Sequence, residues 1–179
     1  MKGDLIHVIA DCPASHVPMG TPVQLPAGTQ AMVVQELGGS MTLNVNGNMV
    51  SVSGENFPAL GLAQPELHSD MCADDPLDEA QVTTVLKTCF DPEIPVNIFD
   101  LGLIYDIHVV DLDEGGYGVD IIMTLTAAGC GMGPFIVDDV RYKLKQLPQV
   151  KEVDIELVFE PEWNKHMMSD AAQLELGMF

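Results

Sequence analysis

The residue best placed to do chemistry is Cys130, in the stretch Thr124-Leu-Thr-Ala-Ala-Gly-Cys-Gly-Met-Gly-Pro134. An alternating run, Val119 to Leu125, leads into it, and a run of helical character, Pro134 to Leu147, leads out. Gly129 and Gly131 flank the thiol, and Gly133 follows. Glycine accepts backbone angles that other residues resist and lets a ligand approach the main chain. Pro134 suits a first helical position, where its missing N–H would be unsatisfied anyway. Cys130 is therefore expected just before a helix N-terminus, where unpaired N–H groups and the helix dipole favour the thiolate. A thiolate in an open glycine loop serves as a nucleophile or a metal ligand. The same residues also compose an ordinary glycine-rich turn with an incidental cysteine, and residue types alone leave both open.

No other local constellation competes. Cys12, Cys72, Cys89 and Cys130 are dispersed, so there is no CxxC zinc pair and no ferredoxin cysteine run. His7, His16, His68, His108 and His166 form no HxxxH or HExxH pattern. Any metal site must be assembled in three dimensions or between chains. Cys12 and His16 are close in sequence but read as isolated polar residues of a loop.

The chain of 179 residues is long enough for one domain and a small second one. Its 47% hydrophobic content supports a packed core and argues against disorder. No apolar run approaches the roughly 18 residues of a membrane span. The start, Met1-Lys-Gly-Asp-Leu-Ile-His-Val, lacks the plan of a signal peptide. A cytoplasmic protein with reduced thiols is expected. The net charge of -20 makes nucleic acid and anionic membranes poor partners. Residues 1–70 hold six of the 27 acids and the remainder 21, so the two parts differ in surface chemistry. A saline environment, a basic partner or plain solubility would each account for such acidity.

The elements that must position Cys130 fall into two groups. Residues 1–63 are dense in proline and glycine, with short alternating runs at 31–37, 41–45 and 49–52. Asn46-Gly47 signals a two-residue hairpin that sets Leu43 opposite Val50 and Met41 opposite Val52. A small all-β module of four or five strands is expected. Residues 64–74 read as a linker.

The second domain, 75–179, opens with a helix expected to be capped by Asp75 and to carry Pro76 at its first position. Val82, Val85, Leu86 and Cys89 form one apolar stripe, which makes Cys89 a core thiol. Pro92 and Pro95 keep the next stretch, with Asp91, Glu93 and Asp100, in an extended loop. Strands are expected over 103–111, 117–125 and 150–159, with the helix after Pro134 between the last two. In that helix Ile136, Val137, Val140 and Leu144 point inward, while Asp138, Asp139 and the later Arg141, Lys143 and Lys145 complement its dipole. The order is α-β-β-α-β, an α+β domain with an antiparallel or mixed sheet. Ser169 is placed to cap a short helix ending at Gly177, in an apolar tail that folds back or docks on another subunit.

At Asp91-Pro-Glu-Ile, Asp100-Leu-Gly, Tyr105, Thr124-Leu-Thr and Gly129-Cys-Gly-Met-Gly the chain resembles the metal–sulfur cluster biosynthetic family, whose domain is shared by PaaD and SufT. Pro161-Glu-Trp-Asn-Lys-His-Met-Met-Ser and the β module are similar to its SufT-like members. Many relatives carry proline directly after the cysteine; here Gly131-Met-Gly133 intervenes, the SufT-like form. The resemblance covers about 105 residues and implies a role in assembling or delivering iron–sulfur clusters. It maps the family cysteine onto Cys130 and the Asp-Pro-Glu loop onto Asp91, Pro92 and Glu93.

Under that resemblance Cys130 would be a ligand to a transient iron–sulfur cluster or to iron, in a pocket left by Gly129, Gly131 and Gly133. Asp91 and Glu93 would be labile oxygen ligands or, equally, a turn-stabilising and a solvated acid. One loop cysteine per chain cannot supply the about four ligands a cluster takes. A homodimer, an apo-protein client or a small thiol must complete it, and a homodimer is expected, since cluster sharing and the apolar tail both point to one. Two alternatives stay open. One is a cluster-free adaptor between assembly machinery and apo-proteins. The other is a thiol enzyme, which needs a base such as His108 or His166, or a resolving thiol at Cys72 or Cys89.

Overall fold

The computed structural model describes residues 2–66 and 74–178. Cys72, His68 and most of the expected linker lie outside the described residues. The chain divides into two compact units, one of residues 1–66 with 131–135, the other of 67–130 with 136–179.

The first unit is a six-stranded sheet built from β1 (Leu5–His7), β2 (Cys12–His16), β3 (Pro22–Leu25), β4 (Gln30–Leu37), β5 (Ser40–Val45) and β6 (Asn48–Val52), in the order β1-β4-β5-β6-β2-β3. Every neighbouring pair is antiparallel. The Asn46-Gly47 turn sets Leu43 opposite Val50 and Met41 opposite Val52, as expected, with positive φ at both turn residues. All four of these core residues are buried, and each stabilises the fold by about 1.5–3 kcal/mol relative to exposure. The strand count exceeds expectation because β2 and β3 hide among Pro13, Pro18 and Pro22. Cys12 is accordingly no loop residue: it is fully buried in β2, and burial raises its thiol pKa.

The second unit contains α1 (Glu79–Leu86), β7 (Ile104–Asp111), β8 (Tyr117–Met123), most of α2 (Gly133–Lys145), β9 (Val150–Leu157) and α3 (Asp170–Glu175). Its sheet runs β7-β8-β9; β7 and β8 are antiparallel, whereas β8 and β9 are parallel. Parallel neighbours require a crossover, which α2 provides. The structure thus has the expected mixed α+β character.

Two local expectations need correction. The cap of α1 is Asp78, not Asp75: Asp78 accepts from the Gln81 backbone N–H at 2.8 Å, and the Gln81 side chain accepts from the Asp78 N–H at 3.1 Å. Only Asp78 has a glutamine three residues on, as a reciprocal capping box needs. In α2, Asp139 and Lys143 are not solvated dipole partners. Their side chains are buried and form an ion pair at 2.6 Å, and Lys143 also donates to the Thr88 carbonyl at 2.8 Å. The reason is spacing: residues 136, 139, 140, 143 and 144 share one helix stripe, and that stripe faces the core.

The tail folds back. Ser169 caps α3 by accepting from the Ala172 N–H, Met168 and Ala172 are buried, and Gly177 leaves the helix with φ +67°. Among the described residues no helix is long and apolar enough to cross a membrane.

Candidate functional site

Cys130 lies in the connection between β8 and α2, three residues before the first residue of the helix. Its backbone N–H donates to the Ala127 carbonyl at 3.1 Å, which closes a tight turn over Ala127-Ala-Gly-Cys130. The thiol is half-buried. The helix starts at Gly133, so Pro134 occupies its second position. Gly129 is exposed, and a side chain there would meet open space. Gly131 is different. Within the unit to which it is assigned, a Cβ on Gly131 would run into the Met19 backbone, and one on Gly20 would run into the Gly131 carbonyl. Bare backbone at Gly131 is thus a packing requirement as well as a way to open the loop.

The other two described cysteines are unlike Cys130. Cys12 and Cys89 have no solvent exposure. Burial pushes the Cys89 thiol up to about 12, partly opposed by the nearby Lys143 charge. Cys89 also donates weakly to the Val85 carbonyl at 3.8 Å. It is a core thiol, as its place on the α1 stripe predicts, and a poor resolving partner.

Asp91 and Glu93 part company. Asp91 is buried, and its carboxylate accepts from the Glu93 N–H at 2.9 Å while its carbonyl accepts from Ile94 at 3.1 Å. Burial raises its pKa, and the hydrogen bond from Glu93 partly offsets this. Glu93 is exposed. Asp91 therefore holds the Phe90–Ile94 turn, a role its side chain plays through the local backbone.

The Asp100-Leu-Gly102 motif also has a structural office. Asn97 and Asp100 bond each other twice, Nδ2 to Oδ2 at 2.7 Å and Asp100 N–H to Asn97 Oδ1 at 2.8 Å. The Leu101 carbonyl accepts from Trp163 Nε1 at 2.8 Å, and the Asp100 carbonyl accepts from the Ser169 N–H at 2.8 Å. Gly102 has φ +76°, and a Cβ there would strike the Met167 carbonyl. Tyr105 donates its hydroxyl to the Pro161 carbonyl at 2.6 Å. The motif and Tyr105 are thus the receptacle of the C-terminal tail, which explains why Pro161-Glu-Trp and Asp-Leu-Gly occur together in this chain.

His108 stands on β7, exposed and paired with Asp106 at 3.1 Å; His166 is exposed in a short 3-10 turn. Among the described residues no three His, Cys, Asp or Glu side chains gather into a metal-holding cluster. Among the described residues, what stands ready is one half-exposed thiol in a glycine loop.

Residues 79–156 match the family described as "Iron-sulfur cluster assembly protein". An Fe-S protein maturation auxiliary factor of Porphyromonas gingivalis is 52% identical over 99 residues, 55% of this chain and 90% of that protein. The Fe-S protein maturation auxiliary factor SufT of Staphylococcus aureus is 43% identical over 88 residues, 49% of this chain and 96% of that protein. An iron-sulfur cluster carrier protein of Synechocystis is 30% identical over 86 residues, 48% of this chain but 23% of that longer protein. With a family match that spans Cys130 and nearly the whole of two such relatives covered, the chain belongs to the iron–sulfur cluster assembly protein family, as a SufT-like member.

Proposed function

We propose that the protein is a cytoplasmic iron–sulfur maturation factor that carries a cluster, or iron, toward apo-proteins with Cys130 as its accessible thiolate ligand. The observation that carries this is the contrast among the described cysteines: Cys12 and Cys89 are sealed in the two cores, while Cys130 alone is half-exposed. The names of the relatives point to the same pathway.

A cluster takes about four protein ligands, and among the described residues one chain offers a single exposed thiol. The remaining positions fall to a second copy, an apo-protein client or a small thiol. A site completed from outside holds its cargo loosely enough to release it. Exposed Glu93 is the better oxygen donor of the two acids, since the Asp91 carboxylate is already engaged by its own turn. Gly129, which faces open space, keeps one side of the approach free of a side chain.

Anaerobic reconstitution with iron and sulfide tests the thiol's role. Wild type is expected to gain visible absorbance that Cys130→Ala lacks, and full absorbance in the variant would overturn the assignment. Absorbance in neither protein would favour an adaptor without cargo. Cluster sharing through a homodimer predicts a mass in light scattering that doubles on reconstitution; a monomer throughout would remove the second copy as co-ligand.

A further inference from the structure

One face of the β7-β8-β9 sheet packs inward through Val119, Ile121 and Met123, which are buried. The opposite face is exposed, and its composition is one-sided. Cross-strand register puts Asp106, Ile122 and Glu156 in one row, His108, Asp120 and Asp154 in the next, and Val110, Gly118 and Glu152 in a third. All five carboxylate side chains belong to exposed residues, and neither lysine nor arginine occurs in these rows. Asp120 and Asp154 are direct neighbours on adjacent strands, a like-charge arrangement that weakens a sheet. At the end of the third row Val110 is 45% exposed, and the Leu112 side chain lies 3.6 Å from where a Cβ of Gly118 would be. These apolar residues and Asp120, Glu152 and Asp154 line a hollow of about 400 Å³.

Solvation alone asks only for polar residues here; mixed charges would serve it without repulsion. Exposed apolar residues at one edge of a face whose carboxylates are all of one sign suit an interface, with the charge choosing the partner and speeding encounter. A second copy is a poor occupant, because the face would meet its own charge. A cation is a poor one too, since no metal-holding cluster forms among the described residues. We propose that the open face of the β7-β8-β9 sheet is a docking surface for a protein partner that presents lysine and arginine beside an apolar patch. It lies apart from the thiol chemistry and stands or falls independently of it.

The test is an NMR titration of the full chain with a 14-residue peptide of alternating lysine and leucine. Shift changes are expected to centre on Val110, Asp120, Ile122 and Asp154. The double reversal Asp120→Lys/Asp154→Lys should weaken binding at least tenfold, and a control reversal off the face, Glu79→Lys/Glu162→Lys, less than twofold. Equal effects of the two reversals, or changes spread over acidic positions of both units, would overturn the proposal. So would equal affinity for a 14-residue oligolysine, which means bulk charge only. A saturable response of the same residues to Mn2+ alone would assign the face to a cation, and dilution-dependent shifts without peptide would assign it to a second copy; either defeats the proposal. Should the reversal fail to fold, Asp120→Asn/Asp154→Asn replaces it. That pair should raise Tm at low salt by removing repulsion while weakening peptide binding. A fall in Tm would show that the carboxylates hold the fold, and would overturn the proposal.

Discussion

Cys89 and Cys130 lie near opposite ends of the same helix and could hardly be treated more differently. Cys89 sits by the last turns of α2, with the Lys143–Asp139 pair close by and no solvent exposure. Cys130 precedes the first turn in a loop of glycines and is half-exposed. The first environment withholds the thiolate by desolvation. The second leaves it accessible. A single element thus closes one thiol and presents the other, and what separates them is packing around the sulfur, since the residue type is the same.

The largest break of this contrast comes from the closed end. Lys143→Ala should destabilise the protein by about 3–5 kcal/mol, because it removes the cationic partner of a buried carboxylate, Asp139. Urea unfolding measures this, and the joint replacement Asp139→Leu/Lys143→Met should recover most of the loss. In the same variant Cys89 should begin to react with iodoacetamide under native conditions, which would bring it toward Cys130.

Alkaline pH provides the next test. The folded pKa of Cys89, about 12, lies above its ordinary 9.0. The contribution is complete below pH 9 and is lost as pH rises toward 12, since the unfolded state then releases the proton first. Urea midpoints of wild type should fall more steeply over that window than those of Cys89→Ala. Parallel slopes would mean that the thiol is not sealed.

Asp91, two residues beyond Cys89, belongs to the closed region. Burial raises its pKa, so its contribution favours the fold at acid pH and is lost as pH rises through the folded pKa. Asp91→Asn keeps an acceptor for the Glu93 N–H and cannot ionise. It should therefore compare better with wild type at pH 7 than at pH 3. Asp91→Ala also loses the acceptor; it should cost about 1 kcal/mol at pH 3 and, by the same linkage, less at pH 7. If Asp91→Asn also lost reconstituted iron with its stability intact, the carboxylate would rank as a ligand.

The smallest effect is expected at the open end. Cys130→Ala should change stability by less than about 0.5 kcal/mol, as for surface positions generally. It should also remove the alkylation at position 130, read by mass spectrometry, while Cys12 and Cys89 stay unmodified in the native protein. A large loss of stability would make Cys130 a structural residue and dissolve the contrast.

Much of this was legible in the residues. The 82, 85, 86, 89 stripe predicted a buried Cys89, and the glycines around Cys130 predicted an open loop. The Asn46-Gly47 turn predicted its register, because a two-residue loop leaves no other alignment of two apolar faces. What escaped followed from competition between local signals. Asp75-Pro76 looked like a helix start, but Asp78 had the reciprocal partner. Asp139 and Lys143 read only as part of the dipole order, although their i, i+4 placement put them on the buried stripe. The proline-rich β2 and β3 carried no alternation strong enough to show through the turn residues. Asp100-Leu-Gly102 was visible as a motif, yet its role in holding Trp163 and Ser169 depends on contacts some 60 residues away in sequence, for which no local pattern exists.

The β8–β9 pair, the one parallel pairing among the described strands, has a consequence for how this loop can diversify. In a strand–helix–strand crossover, the connection leaving the carboxyl end of the first strand lies outside the hydrogen-bonded ladder, and such ends are where open sheets gather their ligands. Residues added there alter reach and leave register alone. Gly131 and Met132, the two residues between Cys130 and the first residue of α2, lie in that connection. Lengthening or shortening it there would move the thiol without shifting the pairing of β8 with β9.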